Sequence, residues 1–521
     1  MISAERLPAG VDTEKFRLRN FVEGLEAEQL ERHDEPLSLA AVAAILEGNP
    51  RAVLFTNVGP DGQSLVGNAL GSRARMARGF GVAPENLLAE IMRRLKRKPE
   101  FIELTSAQAP VHEVILTGKD ADVTKLPVHL HHGRDGGPYI SAALDISIDA
   151  ATGLSNVGLR RLMLRGRHET GIDLVAVSDL KNIYKAAVAR GERLPLSIVG
   201  GSHPIDYFAA TMRIPGDELG LMSALRDAPL PTVKSVTNDI RVPADAEYVL
   251  EGYLGNEGYI ESEGPFGEFL GYYGGVKTNP VFHITAITHR KDALFQTLSI
   301  SGKTLSRTDT AQLTTLRTES LVWRALEMAI REPVAVYAPP ATGGVYNVRC
   351  AIRQLNPGEG RNAISAVFAC MANVKNVFIV DPDIDIFSEE QMEWAMATRL
   401  RPDRDVYVEK GYRVSPLDPS LDPSFKVGSK AGFDLTLPFG GSTSIELSLP
   451  EPPSFVGPRF PSVRDALLDG PKYFEQLMAA MGTADGREVV VMLDELRSAG
   501  VLGREAEEGR YLLIDPKTGS K

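Results

Sequence analysis

The sequence is nearly free of cysteine. Cys350 and Cys370 are the only two in 521 residues. That is too few for a disulfide framework, and their spacing is not that of a metal site. They read as reduced thiols of a cytoplasmic protein. Basic blocks are also missing, and the formal net charge is −11, so neither nucleic acid nor an anionic membrane is expected as a partner. No stretch of about 18 apolar residues occurs, which excludes a membrane-spanning helix. The opening MISAERLPAGVDTEKF lacks the basic-then-apolar order of a secretory signal. Repeats and low-complexity tracts are absent. What is present is an ordinary globular composition, 43% apolar and 24% charged. At roughly 100–200 residues per domain, the length suits about three domains.

Along the chain, the first ~115 residues mix helix and strand signals. SLAAVAAILEG (Ser38–Gly48) has a serine cap and a terminal glycine, AVLFTNV (Ala52–Val58) is a β-rich apolar run, and LLAEIMRRLKRK (Leu87–Lys98) is an amphipathic helix. From about 112 to 310 the segments HEVILTG, YISAALDISID, IRVPADAEYVLEGYLG and PVFHITAITHR read as strands of an antiparallel sheet or barrel. A helical insert falls at Leu180–Pro195. From about 315, βα alternation returns. EPVAVYAPP and NVFIVDPDIDIF are strands, while AISAVFACMAN and SEEQMEWAMATR are helices, the second with the capping-box pair Ser388 and Gln391. Two more helices are expected at Tyr473–Met481 and Glu488–Ser498, before a polar, frayed tail.

Three stretches bear chemistry. ESEGPFGEFLGYYGG (Glu261–Gly275) sets Glu263 and Glu268 on either side of a Gly-Pro-Phe-Gly bend that cannot be helical. Two acids in one cleft can serve as donor and base, because repulsion and burial drive one of them to hold a proton. The plain alternative is a solvated hairpin. SNVGLRRLMLRGRHETG (Ser155–Gly171) places Asn156 and Arg161 five apart. Arg161 offers a planar fork for a carboxylate, or else belongs to a basic surface with Arg160, Arg165 and Arg167. FAATMRIPGDELG (Phe208–Gly220) combines small residues, whose free N–H groups suit a phosphate, with Glu218, an oxygen ligand for a hard cation. An ordinary turn before a helix is the other reading. HLHH (His129, His131, His132) lacks the partner cluster of a zinc site. DPDIDIF fails as a calcium loop, since Ile386 and Met392 stand where Gly and Glu are required.

Together, in this order, Asn156-x4-Arg161, Glu218 beyond ATMRIPGDE, TNDIRVPADAEYVLEGYL and EGPFGEFLGYY resemble the UbiD family, which includes the ferulic acid decarboxylases. LPVHLHHGRDGGPYI, RTESLVWRALE, VFIVDPDIDIF and EWAMATRLRPDRD extend the resemblance from about 15 to 445. It implies a mixed α/β and α+β fold. An N-terminal α/β domain would occupy 1–115 and a split β-barrel of flavin-reductase type, binding prenylated FMN, 116–312. A C-terminal α/β oligomerisation domain would occupy 313–465, with helices and tail over 466–521. The implied reaction is non-oxidative, in some members reversible, decarboxylation of an aromatic, heteroaromatic or α,β-unsaturated acid. Arg161 would hold the substrate carboxylate, Glu268 donate the proton and Glu263 orient Arg161. The family's metal ligands fall on Asn156 and Glu218 for Mn2+ or Mg2+. The third, normally histidine, falls on Asp179, a departure, with His168 as a weaker substitute. Val157, Gly158, Leu159, Arg160, Ala209, Ala210, Thr211 and Met212 match the cofactor-, phosphate- and K+-binding segments. Lys430 would face the cofactor, and Phe433, Leu435 and Leu437 would floor a pocket for an indole-, pyrrole- or phenyl-type ring. Tyr272 and Tyr273 read as packing residues. Implied partners are a small aromatic acid, a flavin prenyltransferase that supplies the cofactor, and further copies of the chain in a homodimer or homohexamer. Competing readings are a carboxylase or aryl-CoA decarboxylase on the same cofactor, a non-catalytic flavin-binding module, and a paralogue that pairs with an active subunit.

Overall fold

The computed structural model describes residues 7–8, 10–421, 424, 427–441, 449–450 and 457–515, so the tail expected to fray lies largely outside the described residues. The chain forms two compact units, Met1–Gly441 and Ser442–Lys521. At the centre of the first is a closed barrel of six antiparallel strands: β1 (Tyr139–Ile148), β2 (Ser155–Leu164), β3 (Glu169–Ile172), β4 (Leu194–Gly200), β5 (Tyr248–Leu254) and β6 (Val281–His289). The neighbour order is β5-β4-β1-β2-β3-β6, and β6 pairs back onto β5 to close the ring. Alternation along the strands sends Leu162, Leu196, Ile198, Leu250 and Phe282 into one buried cluster, while Leu144, Ile146, Val157 and Val199 belong to a second. Burying each such side chain is worth about 1.5–3 kcal/mol.

Four helices matter for the site: α1 (Asp179–Ala189), α2 (Pro204–Thr211), α3 (Glu218–Arg226) and α4 (Asp309–Ala329). Helices α2 and α3 contribute Tyr207, Phe208, Leu219 and Met222 to the core that also holds Val157 on β2. The sheets do not follow chain order. Phe295–Gln296, after the barrel, pairs with the N-terminal strand Gln63–Gly67, and Phe101–Glu103 pairs with Leu230–Lys234. Beyond α4, a five-stranded sheet takes the order Pro333–Tyr337, Asn347–Ile352, Asn376–Val380, Gly428–Asp434, Val406–Tyr412. Its central pairings are parallel and its edges antiparallel. The second unit packs helices Val463–Leu468, Phe474–Met481 and Gly486–Ser498 with the hairpin Leu502–Arg504/Tyr511–Leu513 around its own core of Leu477, Val489 and Leu493.

Local signals were obeyed where they were chemical. Ser38 caps the helix Leu39–Leu46 by accepting from the Ala40 N–H, and Ala52–Val58 is a strand. The Ser388 hydroxyl accepts from the Gln391 N–H as expected, but the Gln391 side chain accepts from the Asp385 N–H instead of closing the box on Ser388. The helix read from AISAVFACMAN begins earlier, at Glu359, and Leu87–Lys98 is helical only to Arg94.

One buried ion cluster fixes α2 and α3 to the barrel. The Arg226 guanidinium, with no exposed side-chain surface, donates to Asp206 at 2.8 and 2.6 Å and to Asp245 at 2.6 and 3.2 Å. Removing one member leaves an uncompensated buried charge, which costs about 3–5 kcal/mol. We expect R226M to lower unfolding free energy by that amount in urea titrations, against no comparable loss for the exposed Arg167→Met.

Candidate active site

The Glu261–Gly275 stretch is an excursion between β5 and β6. It forms nested hairpins: Glu261–Glu263 pairs with Lys277–Asn279, and Phe266–Gly267 pairs with Tyr273–Gly274. Gly264 has φ +96°, a conformation that glycine enters without steric cost. At Gly274 a Cβ would lie 2.5 Å from Glu268 Oε1, so a side chain there would require the Glu268 carboxylate to shift. The hairpin is not a solvated one. The Glu263 side chain has no exposed surface and that of Glu268 is 9% exposed.

Both carboxylates meet Arg161 of β2. Arg161 Nε and Nη2 donate to Glu263 at 3.1 and 3.4 Å, and Nη1 donates to both oxygens of Glu268 at 3.0 and 3.1 Å. The guanidinium lies 4.5 Å from the centre of the Phe266 ring, a favourable placement for a cation. Two further groups, not foreseen from the sequence, complete the cluster. Asp173, just past β3, lies 2.9 Å from Arg161 Nη2, and Lys277 lies 3.2 Å from Asp173 and 3.4 Å from Glu268. Asn279 donates to Glu263 at 3.2 Å. The sequence carried no signal for Asp173 or Lys277, since the hairpin register that sets Lys277 directly opposite Glu263 exists only in the fold. Burial alone would lower the affinity of Arg161 for its proton, but Glu268, Asp173 and Glu263 more than offset it and hold Arg161 above its usual range. Burial would likewise raise Asp173, yet Arg161 and Lys277 keep it below the usual carboxylate range.

A second cluster is made of oxygens. The Glu218 carboxylate, at the first turn of α3, accepts from Asn156 Nδ2 at 2.7 Å and from the Val157 N–H at 2.8 Å. Burial first, and then Asp179 and Asp145 nearby, push Glu218 up to about 7 against those two hydrogen bonds. Asn156 Oδ1, Ser147 Oγ and both oxygens of Asp145 are buried without hydrogen-bond partners. They sit on alternate rungs of the β1–β2 ladder, where Ser147 pairs with Asn156 and Asp145 with Gly158, either side of the Ile146–Val157 pair. Orphaned hard oxygens and a crowded carboxylate fit an Mn2+- or Mg2+-type ion. Asp179 is the first residue of α1, which Ser178 caps, and its side chain is half exposed and 3.8 Å from Arg213. Among the described residues, no three His, Cys, Asp or Glu side chains converge as a metal-holding group. His168 is tied to the Ala121 carbonyl at 3.0 Å.

The remaining site residues are placed as follows. Val157, Leu159 and Arg161 share one face of β2 by alternation, and Val157 and Leu159 pack in the core that includes Ala210 and Met212. Gly158 faces Asp145, and Arg160 Nε lies 3.6 Å from it. Ala209, Ala210 and Thr211 form the last turn of α2, where the Met212 N–H bonds to the Ala209 carbonyl. The free N–H groups expected there are instead spent within the helix. A helix C-terminus presents carbonyl oxygens and a negative dipole end, which suits a cation such as K+ and not a phosphate. Lys430 is buried in the C-terminal sheet and donates to the Phe368 carbonyl at 2.6 Å, 5.1 Å from the Tyr412 ring. The apolar floor is corrected as well: Leu435 has no exposed surface and Phe433 stacks on Phe378 at 4.8 Å, so both hold the C-terminal layers together. Tyr273 packs on His132 and accepts from the Arg134 N–H, but Tyr272 is 59% exposed. In HLHH, His129 contacts Thr297 and His131 the Tyr139 carbonyl.

Sequence profiles of a 3-octaprenyl-4-hydroxybenzoate carboxy-lyase match in three consecutive parts. These are its N-terminal domain over 25–95, its Rift-related domain over 103–304 and its C-terminal domain over 311–435. The structure superposes on the UbiD-class enzyme HmfF from Pelotomaculum thermopropionicum, solved with FMN, at TM-score 0.78 and 32% identity. That match covers 84% of this chain and 98% of HmfF. It also superposes on Klebsiella pneumoniae 3,4-dihydroxybenzoic acid decarboxylase at TM-score 0.75 and 27% identity, covering 83% and 98% of the two chains. An anhydromevalonate phosphate decarboxylase from Methanosarcina mazei is 34% identical over 389 residues, 74% of this chain and 87% of the relative. The chain belongs to the UbiD family and is a carboxy-lyase.

Because a proton competes with a cation for Glu218, the raised affinity for protons has a signed consequence. We expect Mn2+ to bind more tightly as pH rises through about 7, and E218Q to weaken binding and flatten that dependence. Titration of Mn2+ followed by electron paramagnetic resonance checks both.

Proposed function

We propose that this carboxy-lyase removes CO2, without net oxidation, from an aromatic or heteroaromatic acid of indole, pyrrole or phenyl type, working with prenylated FMN. The observation that carries the reading is the buried meeting of Arg161, Glu263 and Glu268. Losing CO2 from an unsaturated carbon leaves an electron pair for which side chains offer no sink. The modified flavin supplies that sink when bound. Asn156 and Glu218, with a divalent ion, would hold it, and Val157, Leu159, Ala210 and Met212 would line its site. HmfF in its evolved dimeric form is solved with the prenylated cofactor, which supports the assignment. It also implies a flavin prenyltransferase as supplier.

The chain's own residues then have distinct tasks. Arg161 holds and orients the carboxylate that will leave, a positioning contribution. Glu263, locked in the hairpin ladder and bonded to Asn279, keeps the guanidinium aimed. Glu268, on the turn, returns a proton to the carbon vacated by CO2. A general acid contributes typically 10²–10⁴-fold.

A second reading has an observation of its own. The 34% identity to anhydromevalonate phosphate decarboxylase favours a non-aromatic phosphorylated acid. The deciding experiment expresses the chain with and without a flavin prenyltransferase. It then measures CO2 release from a panel of benzoic, pyrrole, indole and furan acids and anhydromevalonate phosphate. Release that needs the prenyltransferase and an aromatic acid supports the first reading, and release from the phosphate alone supports the second. With the active acid, we expect E268Q to lower turnover by about 10²-fold or more while the flavin absorbance is retained. Unimpaired turnover in E268Q would remove Glu268 from its role.

A further inference from the structure

The Arg161 fork is fully engaged. Glu263 takes Nε and one side of Nη2, Glu268 takes Nη1, and Asp173 takes the other side of Nη2. An incoming carboxylate therefore binds only if one of the three lets go. Glu263 is the least able, being wholly buried and held by Asn279. Asp173 is held on its other oxygen by the Val175 N–H at 3.1 Å. The Glu268 side chain sits on a turn and, among the described residues, is bonded only to Arg161 and Lys277. Of the three, Glu268 is the one free to leave, and Lys277 is the partner that remains to it.

Charge sets the second half of the argument. Around Glu268 stand Arg161 from β2, Asp173 from the end of β3, and Glu263 and Lys277 from the hairpin. Tyr139 of β1 packs on Phe266, and His132, paired with Asp135, lies against Gly267. The two cations of the cluster already face three carboxylates. A fourth carboxylate in the same buried volume deepens the imbalance, and uptake of a proton relieves it.

Building on the decarboxylase reading, we propose that Lys277, anchored by Asp173, is a positioning residue: it retains Glu268 when a substrate carboxylate displaces it from Arg161. That displacement loads Glu268 with the proton it later gives. The balance closes over one turnover. The bond between the carbon and the carboxylate breaks, CO2 leaves, and the electron pair left behind takes the Glu268 proton. Glu268 then returns to Arg161 as a carboxylate.

The test is calorimetric titration of the flavin-loaded protein with benzoate at pH 7, in phosphate and in Tris buffer. Their ionisation heats differ, so the difference in binding heat counts protons. We expect uptake of about one proton per benzoate bound, less than half of that in K277M and D173N, and recovery in K277R. A merely structural Lys277 would change stability but not proton count, and thermal melts separate the two; should K277M not fold, D173N decides. Three results overturn the proposal: no buffer dependence in the unaltered protein, unchanged uptake in K277M or D173N, or no benzoate binding at millimolar concentration. Proton uptake without CO2 release from any acid would fault the decarboxylase reading alone. CO2 release without uptake would fault this inference alone.

Discussion

A single guanidinium, Arg161, is surrounded by more negative charge than it can neutralise, and the site is organised around that imbalance. Glu263, Glu268 and Asp173 come from a hairpin ladder, a hairpin turn and the end of a barrel strand, and Arg161 is the contact they share. Remove it and three largely buried carboxylates repel one another. Remove them and a buried cation stands alone. Either costs more than the pairing gains, so the same interaction that closes the hairpin onto the barrel also holds the three carboxylates together.

The oxygen cluster has a comparable dependence on a distant anchor. Glu218 opens α3 and Arg226 closes it. Because Arg226 bonds Asp206 of α2 and Asp245 ahead of β5, it fixes the helix whose other end presents the Glu218 carboxylate. The carbonyl end of α2 and the acidic start of α3 thus face β2 as one rigid pair. A hard cation lodged among them would meet ligands already in place, with little ordering left to do.

Much of this was legible in the sequence, for identifiable reasons. Caps at Ser38 and Ser388, the Ala52–Val58 strand and the antiparallel character of the middle region follow from local residue chemistry, and local chemistry survives folding. The Glu263–Glu268 pair was visible because Pro265 and its glycines forbid a helix. Asp173 and Lys277 were not visible, because their role arises only when strand register brings them to Arg161. Ala209–Met212 misled for the opposite reason. Small residues suggested open N–H groups, but their place at the end of a helix spends those groups and leaves carbonyls. Lys430, Phe433 and Leu435 were read by kind, and burial in the C-terminal layers gave them a packing role.

The closeness of Gly274 to the Glu268 carboxylate restricts how this loop can diverge. Alanine, the smallest replacement, would place a methyl 2.5 Å from an acid oxygen, and the Glu268 side chain would have to shift to admit it. The neighbouring Tyr272, pointing to solvent, imposes no such limit. Variation in the loop is therefore channelled to its outer side, where it leaves the contact between Glu268 and Arg161 in place.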